Sequence, residues 1–379
     1  MQSSKLRIAF FGDDFARGGK GTALVIQKIA EELAIRDDVD LSLLRPEGKC
    51  NSPLCEKART VIIKRFASTL LSYAFFFLTH RETYDAVIFN RVVYPLFWML
   101  SAKKKVVFIH DASRSEVYRS PRSLVNLAFE YFLRFVGQYF FTSAIAVSED
   151  AKKWIISYYA LPPSKVHTIY NAAEKAYRRY SEEERIVARE RLLKTYGIRP
   201  PYILSVARFD PHKNNTRIVE AFIGLRKEGV PHTLVCIGGA HAADYSREVE
   251  EKIRQAPEGS VHVEKYVANE DMPALYNCAE MLVFPSLVEG FGLPIVEAMQ
   301  CGTPVLTSNI SCMPEIAGGA AVLTDPLDVD AIQSRMRQLV NDFALRERIA
   351  AKGLARARDF SWRKSAEALL HLIRNEHRV

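Results

Sequence analysis

"MLVFPSLVEGFGLPIVEAMQCGTPV", residues 281–305, runs from an apolar stretch into a helix-like stretch through a loop in which Gly290 and Gly292 flank Phe291. Met281–Phe284 reads as a buried strand, and Pro294 suits the first turn of a helix opening at Leu293. A helix start placed there turns free N–H groups and the positive end of its dipole toward an anion, a diphosphate above all. Glu297 falls about one turn inside that helix. A carboxylate only accepts hydrogen bonds, so it suits neighbouring hydroxyls such as a ribose diol. Glu289, eight positions earlier in the loop, is placed to meet another hydroxylated part of the same ligand.

The segments around it alternate in the same way. "YILSVAR", "HTLVCIG", "VHVEKYV", "MLVFPS" and "PVLTS" are short apolar runs separated by helix-compatible stretches. "KLRIAFF", "VDLSLL", "TVIIK", "YDAVIFN", "KKVVFIH" and "SAIAVS" form a matching series in the first half. This is the pattern of βαβ units on parallel sheets, and 379 residues exceed one ordinary core. Two successive doubly wound α/β domains follow, with boundaries expected at 1–180 and 181–360 and a terminal segment at 361–379. Ser181 and Glu184 form a capping box for the connecting helix, and Pro200-Pro201 end the connector.

Ligands of such sheets lie beyond the carboxyl ends of the strands, which singles out two more loops. In "VARFDPHKN" (206–214), Arg208 and Lys213 are spaced to converge on phosphate oxygens, Arg as a planar fork and Lys as a point charge. In "FGDDFARGGKGTALVIQ" (11–27), Gly18, Gly19 and Gly21 follow the first strand. A P-loop ending at Gly19-Lys20 would need Gly at 14 and Ser or Thr at 21, where Asp14 and Gly21 stand. The dinucleotide fingerprint is missing too, so this loop shows a flexible backbone and no more.

Composition sets further bounds. The first 180 residues hold 27 Lys/Arg against 17 Asp/Glu, and the remainder 25 against 27. The basic half is expected to face something anionic, a membrane surface or a lipid phosphate. Nucleic acid is not expected, since neither a stacking platform nor a known module is present. Six scattered cysteines read as reduced thiols, and the histidines show no metal-ligand spacing. No signal peptide or spanning helix is expected. The uncharged "FASTLLSYAFFFLT" (66–79) and the aromatic-rich "SLVNLAFEYFLRFVGQYFF" (123–141) read either as core helices or as interfacial surface. Asp38-Val39-Asp40 and Asp328-Val329-Asp330 resemble metal-binding D-x-D strings, but the first lies between a helix and a strand and the second reads as a helix cap.

Taken together, these residues resemble the family 4 (group 1) retaining glycosyltransferases. "EGFGLPIVEAMQCGTPV" matches the E-x7-E signature through Glu289 and Glu297, and "ARFDPHK" the R-x4-K pair through Arg208 and Lys213. "RGGKGTALVIQKIAEELA" is similar to the family's Gly-Gly loop and first helix, "FIHD" sets His110 at its active-site histidine, and 360–373 looks like its terminal helix. Two departures stand out: Lys20 where relatives carry a small residue, and Asn171-Ala172 where they carry Asn-Gly. The resemblance implies a GT-B fold, two facing Rossmann-like domains with an inter-domain cleft and a terminal helix packed on the first. It implies no metal and no cofactor beyond the nucleotide-diphosphate sugar. Arg208 and Lys213 would hold the diphosphate, Glu297 the ribose, and Glu289 and His110 the transferred sugar, with Gly18, Gly19, Val267, Gly290, Phe291, Gly292 and Leu293 completing the donor site.

The expected activity is transfer of a hexose, GDP-mannose-like donors slightly favoured over UDP-hexoses, to a saccharide acceptor that is lipid-linked, in cell-surface polysaccharide or glycolipid synthesis. The expected location is cytoplasmic, peripheral on the inner membrane face. A GT-B epimerase or phosphorylase, and an inactive nucleotide-sugar-binding scaffold, are the alternatives. Product analysis separates them.

Overall fold

The computed structural model describes residues 5–12, 21–48, 52–65, 68–90, 99–110, 135 and 139–375. The chain divides into two compact units. One comprises the described residues up to His110, those from 135 to Asn171, and Ser361 onward; the other is Ala172–Phe360.

The first unit is built on seven parallel strands: β1 (Leu6–Phe11), β2 (Val39–Pro46), β3 (Arg59–Ile63), β4 (Thr83–Phe89), β5 (Ser101–Ile109), β6 (Ser143–Ala146) and β7 (Val166–Thr168), in the order β3-β2-β1-β4-β5-β6-β7. The helices α1 (Thr22–Ala34), α2 (Leu54–Lys57), α3 (Thr69–Thr79) and α4 (Glu149–Tyr159) accompany them, with a terminal helix described below. Because helices cover the sheet, the carboxyl-terminal parts of the central strands are apolar: Ile8 to Phe11 and Ala86 to Phe89 are each at most 1% exposed. The Phe-rich 66–79 stretch supplies α3, and Tyr73 and Phe77 lie with ring centroids 5.2 and 5.0 Å from Phe11. One face of this helix is therefore core. The described part of the 123–141 stretch is limited to 135 and 139–141.

The second unit carries six parallel strands: β8 (Tyr202–Val206), β9 (Thr233–Ile237), β10 (Val261–Glu264), β11 (Met281–Phe284), β12 (Val305–Ser308) and β13 (Val322–Thr324), in the order β10-β9-β8-β11-β12-β13. Helices α5 (Glu182–Tyr196), α6 (Asn215–Lys227), α7 (Ala243–Arg254), α8 (Met272–Cys278), α9 (Leu293–Cys301), α10 (Met313–Ala317), α11 (Val329–Asn341) and α12 (Phe343–Ala357) accompany them. Ile203, Phe222, Leu225, Val283, Leu306, Ile332 and Met336, all at most 2% exposed, form its core.

The second unit begins at Ala172, earlier than 181. Tyr177 packs its ring 5.7 Å from Tyr276, and Asn277 on α8 donates to the Arg178 carbonyl and accepts from the Tyr180 N–H. The Ser181–Glu184 capping box is formed in full at the start of α5, which ends on left-handed Gly197. The terminal helix α13 (Trp362–Asn375) belongs to the first unit. Arg374 pairs with Asp38 at 2.5 Å, and buried Lys104 donates to the Leu372 carbonyl at 2.7 Å. Asp38 is thus an ion-pair residue, and Asp328 caps α11 by accepting from the Ala331 N–H. Cys236, Cys278, Cys301 and Cys312 are buried free thiols, but Cys55 is disulfide-bonded, against the expectation of reduced thiols throughout. Among the described residues no helix is long and apolar enough to cross a membrane.

Candidate active site

Two loops at the carboxyl ends of β8 and β11 lie side by side. The Leu287 N–H donates to the His212 carbonyl at 2.7 Å, and Asn214 donates to the carbonyls of Pro285 (3.0 Å) and Pro326 (2.7 Å). Asn214 takes φ 63°, a left-handed conformation Asn tolerates better than most side chains. The stitched loops bring Lys213 to Glu289: Nζ lies 2.6 Å from Oε1, with the side chains 18% and 12% exposed. One residue of the R-x4-K element thus meets one of the E-x7-E element from 76 positions away.

Glu289 is fixed through its backbone. Its N–H donates to Ser311 Oγ, and its carbonyl accepts from the Ser311 hydroxyl and the Cys312 thiol, each at 3.3 Å. Arg208 stands apart from the pair. Its side chain is 59% exposed and lies 3.6 Å from Asp210, which is nearly buried and accepts from His241 Nδ1 at 2.7 Å. The loop bearing Arg208 is pressed against Gly238-Gly239 at the end of β9. A Cβ on Gly238, at φ 125°, would sit 2.8 Å from the Ala207 carbonyl oxygen.

Gly292 caps α9 at φ 84°, and Pro294 occupies its first turn. The first turn of α9 follows directly on the loop holding Glu289 and Gly290, and the Ile295 N–H donates to the Gly292 carbonyl at 3.0 Å. Phe291 is 3% exposed, its ring edge-on to Phe360 at 5.5 Å, so this side chain serves the core. Glu297 projects from α9 against α8. Tyr276, fully buried, donates its hydroxyl to Glu297 Oε2 at 2.7 Å, and Tyr177 lies beside the same carboxyl. Burial is the main influence on this carboxyl and pushes it up to about 7, with the hydroxyls of Tyr276 and Tyr177 opposing. Val267 follows β10 and is 4% exposed.

In the first unit His110 stands at the carboxyl end of β5, stacked on Phe108, and its Nε2 donates to Asn90 Oδ1 at 2.5 Å. Asn90 directly follows the neighbouring strand β4 and is 3% exposed. Gly18 and Gly19 lie outside the described residues. Among the described residues no group of three His, Cys, Asp or Glu side chains is arranged to hold a metal.

Sequence reasoning missed Asn90, Asp210, Gly238, Tyr276 and Ser311. A polar residue directly after an apolar strand marks Asn90, and paired glycines after β9 mark Gly238; the others carry no local signal.

Residues 20–176 match the family model for Glycosyltransferase Family 4, and residues 189–356 match that for Glycosyl transferases group 1. O-antigen chain mannosyltransferase B of Escherichia coli is 34% identical over 219 residues, 58% of this chain and 56% of that protein. The serotype-specific mannosyltransferase WbdA of Escherichia coli is 30% identical over 330 residues, 84% of this chain and 38% of that protein. The chain therefore spans little more than half of the first relative and less than half of the second. Among solved structures, Anabaena HepE in complex with UDP and glucose superposes with TM-score 0.77 at 21% identity, covering 97% of this chain and 99% of that one. WaaG, a glycosyltransferase involved in lipopolysaccharide biosynthesis, superposes with TM-score 0.72 at 15% identity, covering 97% and 100%. The fold is of the GT-B class, with two Rossmann-like α/β units. The chain belongs to the family 4, group 1 glycosyltransferases.

Proposed function

We propose that the protein is a retaining hexosyltransferase that moves mannose, or a similar hexose, from a GDP- or UDP-linked donor to a saccharide acceptor in cell-surface polysaccharide synthesis. The observation that carries this reading is the 2.6 Å pair of Lys213 and Glu289, which joins a cation to a carboxylate beside the start of α9. Arg208, Lys213 and the α9 N–H groups bind the diphosphate, Glu297 the ribose, and Val267 the base. Glu289 and His110 position the hexose. The mannosyltransferases it is similar to favour mannose, and the basic first 180 residues favour a lipid-linked acceptor at the inner membrane face.

In this mechanism the bond from C1 to the diphosphate oxygen breaks first, and Arg208 and Lys213 take up the charge that develops on the leaving phosphate. The acceptor oxygen bonds to C1 from the same face, and its proton passes to the departing phosphate oxygen. The cations and helix end supply the positive charge, so the reaction runs without a metal.

A thermal-shift panel of GDP- and UDP-hexoses tests the donor site. A ligand at ~100 times its dissociation constant adds ~2.7 kcal/mol to stability. Stabilisation by at least one nucleotide sugar, followed by glycoside formation with the anomeric configuration kept, is expected. A flat panel, or release of a free epimer or sugar phosphate, overturns the reading.

A further inference from the structure

Helix α3 places apolar residues on the side that faces water. Ser72, Tyr73 and Phe77 turn inward and are 4, 7 and 1% exposed, whereas Leu71, Phe75 and Leu78 are 53, 56 and 46% exposed. At 100° per residue these last three fall within an arc of about 60°. A helix that covers a core ordinarily sets charged residues on that outer face; between Phe66 and Thr79 there are none.

The charge lies at the rim instead. Residues 57–81 contain Lys57, Arg59, Lys64, Arg65 and Arg81 and not one Asp or Glu. Lys64 and Arg65 precede the helix and Arg81 follows it, all three exposed. The nearest acid, Glu82, is engaged by Arg59 at 2.7 Å and Arg7 at 3.1 Å. Strand β3, the sheet-edge neighbour that α3 touches, also exposes Ile62.

We propose that this face is a membrane-docking element: α3 lies flat on an anionic bilayer, inserts Leu71, Phe75 and Leu78 among the acyl chains, and sets Lys64, Arg65 and Arg81 against lipid phosphates. Apolar side chains bracketed by Lys and Arg are the composition of helices that bind in the interfacial plane. A second copy of the chain fits worse, because two all-cationic rims would repel. Arg208, Lys213, Val267, Glu289 and Glu297 lie in the other unit, so this surface stands or falls separately from the proposed transfer reaction.

Co-sedimentation with vesicles of phosphatidylcholine containing one third phosphatidylglycerol tests it, at low and at high salt. The intact protein is expected to pellet with these vesicles, less so at high salt, and weakly with phosphatidylcholine alone. The triple variant Leu71→Ser, Phe75→Ser, Leu78→Ser is expected to lose at least about tenfold in partitioning. Lys64→Gln with Arg65→Gln is expected to lose the preference for anionic lipid. Unchanged melting and unchanged GDP or UDP binding show that each variant is folded. No sedimentation of the intact protein at low salt, or equal sedimentation of the triple variant, overturns the proposal. A dimer of the intact protein that the triple variant disperses, without vesicle binding, overturns it in favour of a self-association face.

Discussion

Nucleotide binding should expel a proton from Glu297, and the amount follows from its surroundings. The carboxyl is raised to about 7, first by burial and then by the Glu174 carboxylate; the Tyr276 and Tyr177 hydroxyls oppose the rise, and the Cys301 thiol also adjoins it. A ribose diol donating both hydroxyls selects the carboxylate. At pH 7 about half the carboxyls are protonated, so binding should release ~0.5 proton per nucleotide, falling to ~0.1 at pH 8. From pH 8 to 6 the affinity should drop about tenfold through this group. Titration calorimetry with GDP or UDP in two buffers of different ionisation enthalpy measures the release, and Glu297→Gln supplies the baseline for the nucleotide's own titration. Tyr276→Phe removes a hydrogen bond that favours the ionised form, so release should persist to higher pH. The 2′-deoxynucleotide should lose affinity with the intact protein and little with Glu297→Gln. Stability runs in the opposite sense: a raised folded-state value means the folded chain holds the proton more tightly. The cost of the carboxylate is absent below pH 4.5, grows up to pH 7 and is full above it, about 3 kcal/mol. Glu297→Gln should therefore be more stable than the intact protein at pH 8. Equal proton release in Glu297→Gln and the intact protein would refute the ribose assignment.

Lys213→Ala and Arg208→Ala should each lower kcat by ~10²–10³, the usual effect of losing one donor to a developing anion. Lys213→Ala should also destabilise the fold, since Glu289 is left nearly buried without its partner, whereas exposed Arg208 should leave the melting temperature unchanged. Gly238→Ala combines a strained φ with a 2.8 Å approach to the Ala207 carbonyl, and should cost ~1–3 kcal/mol in chemical denaturation. The same variant should weaken nucleotide binding, because the backbone that must yield carries Arg208.

Local chemistry made much of this protein legible. Each strand named in the sequence forms, because parallel sheets covered by helices favour short apolar runs, and the Ser181–Glu184 cap and Gly197 stop delimit α5 with purely local signals. The R-x4-K and E-x7-E spacings exposed Lys213 and Glu289, and the structure adds that they touch. What stayed hidden depends on contacts across the sheet. Tyr276 meets Glu297 and Asn90 meets His110 from 21 and 20 positions away, and Ser311 holds the Glu289 backbone from 22. The 66–79 stretch resisted a single reading because it does two things: Tyr73 and Phe77 fill the core while Leu71, Phe75 and Leu78 face outward. The boundary near 180 shifted for a similar reason, since Tyr177 and Arg178 are charged-connector residues by composition but pack on α8.

A crystal structure of the protein with GDP or UDP bound meets the central claim head-on. The diphosphate should lie within hydrogen-bond reach of Arg208, Lys213 and the N–H groups at the start of α9, with the ribose hydroxyls on Glu297. A nucleotide seated elsewhere, its phosphates away from Lys213, would contradict the account.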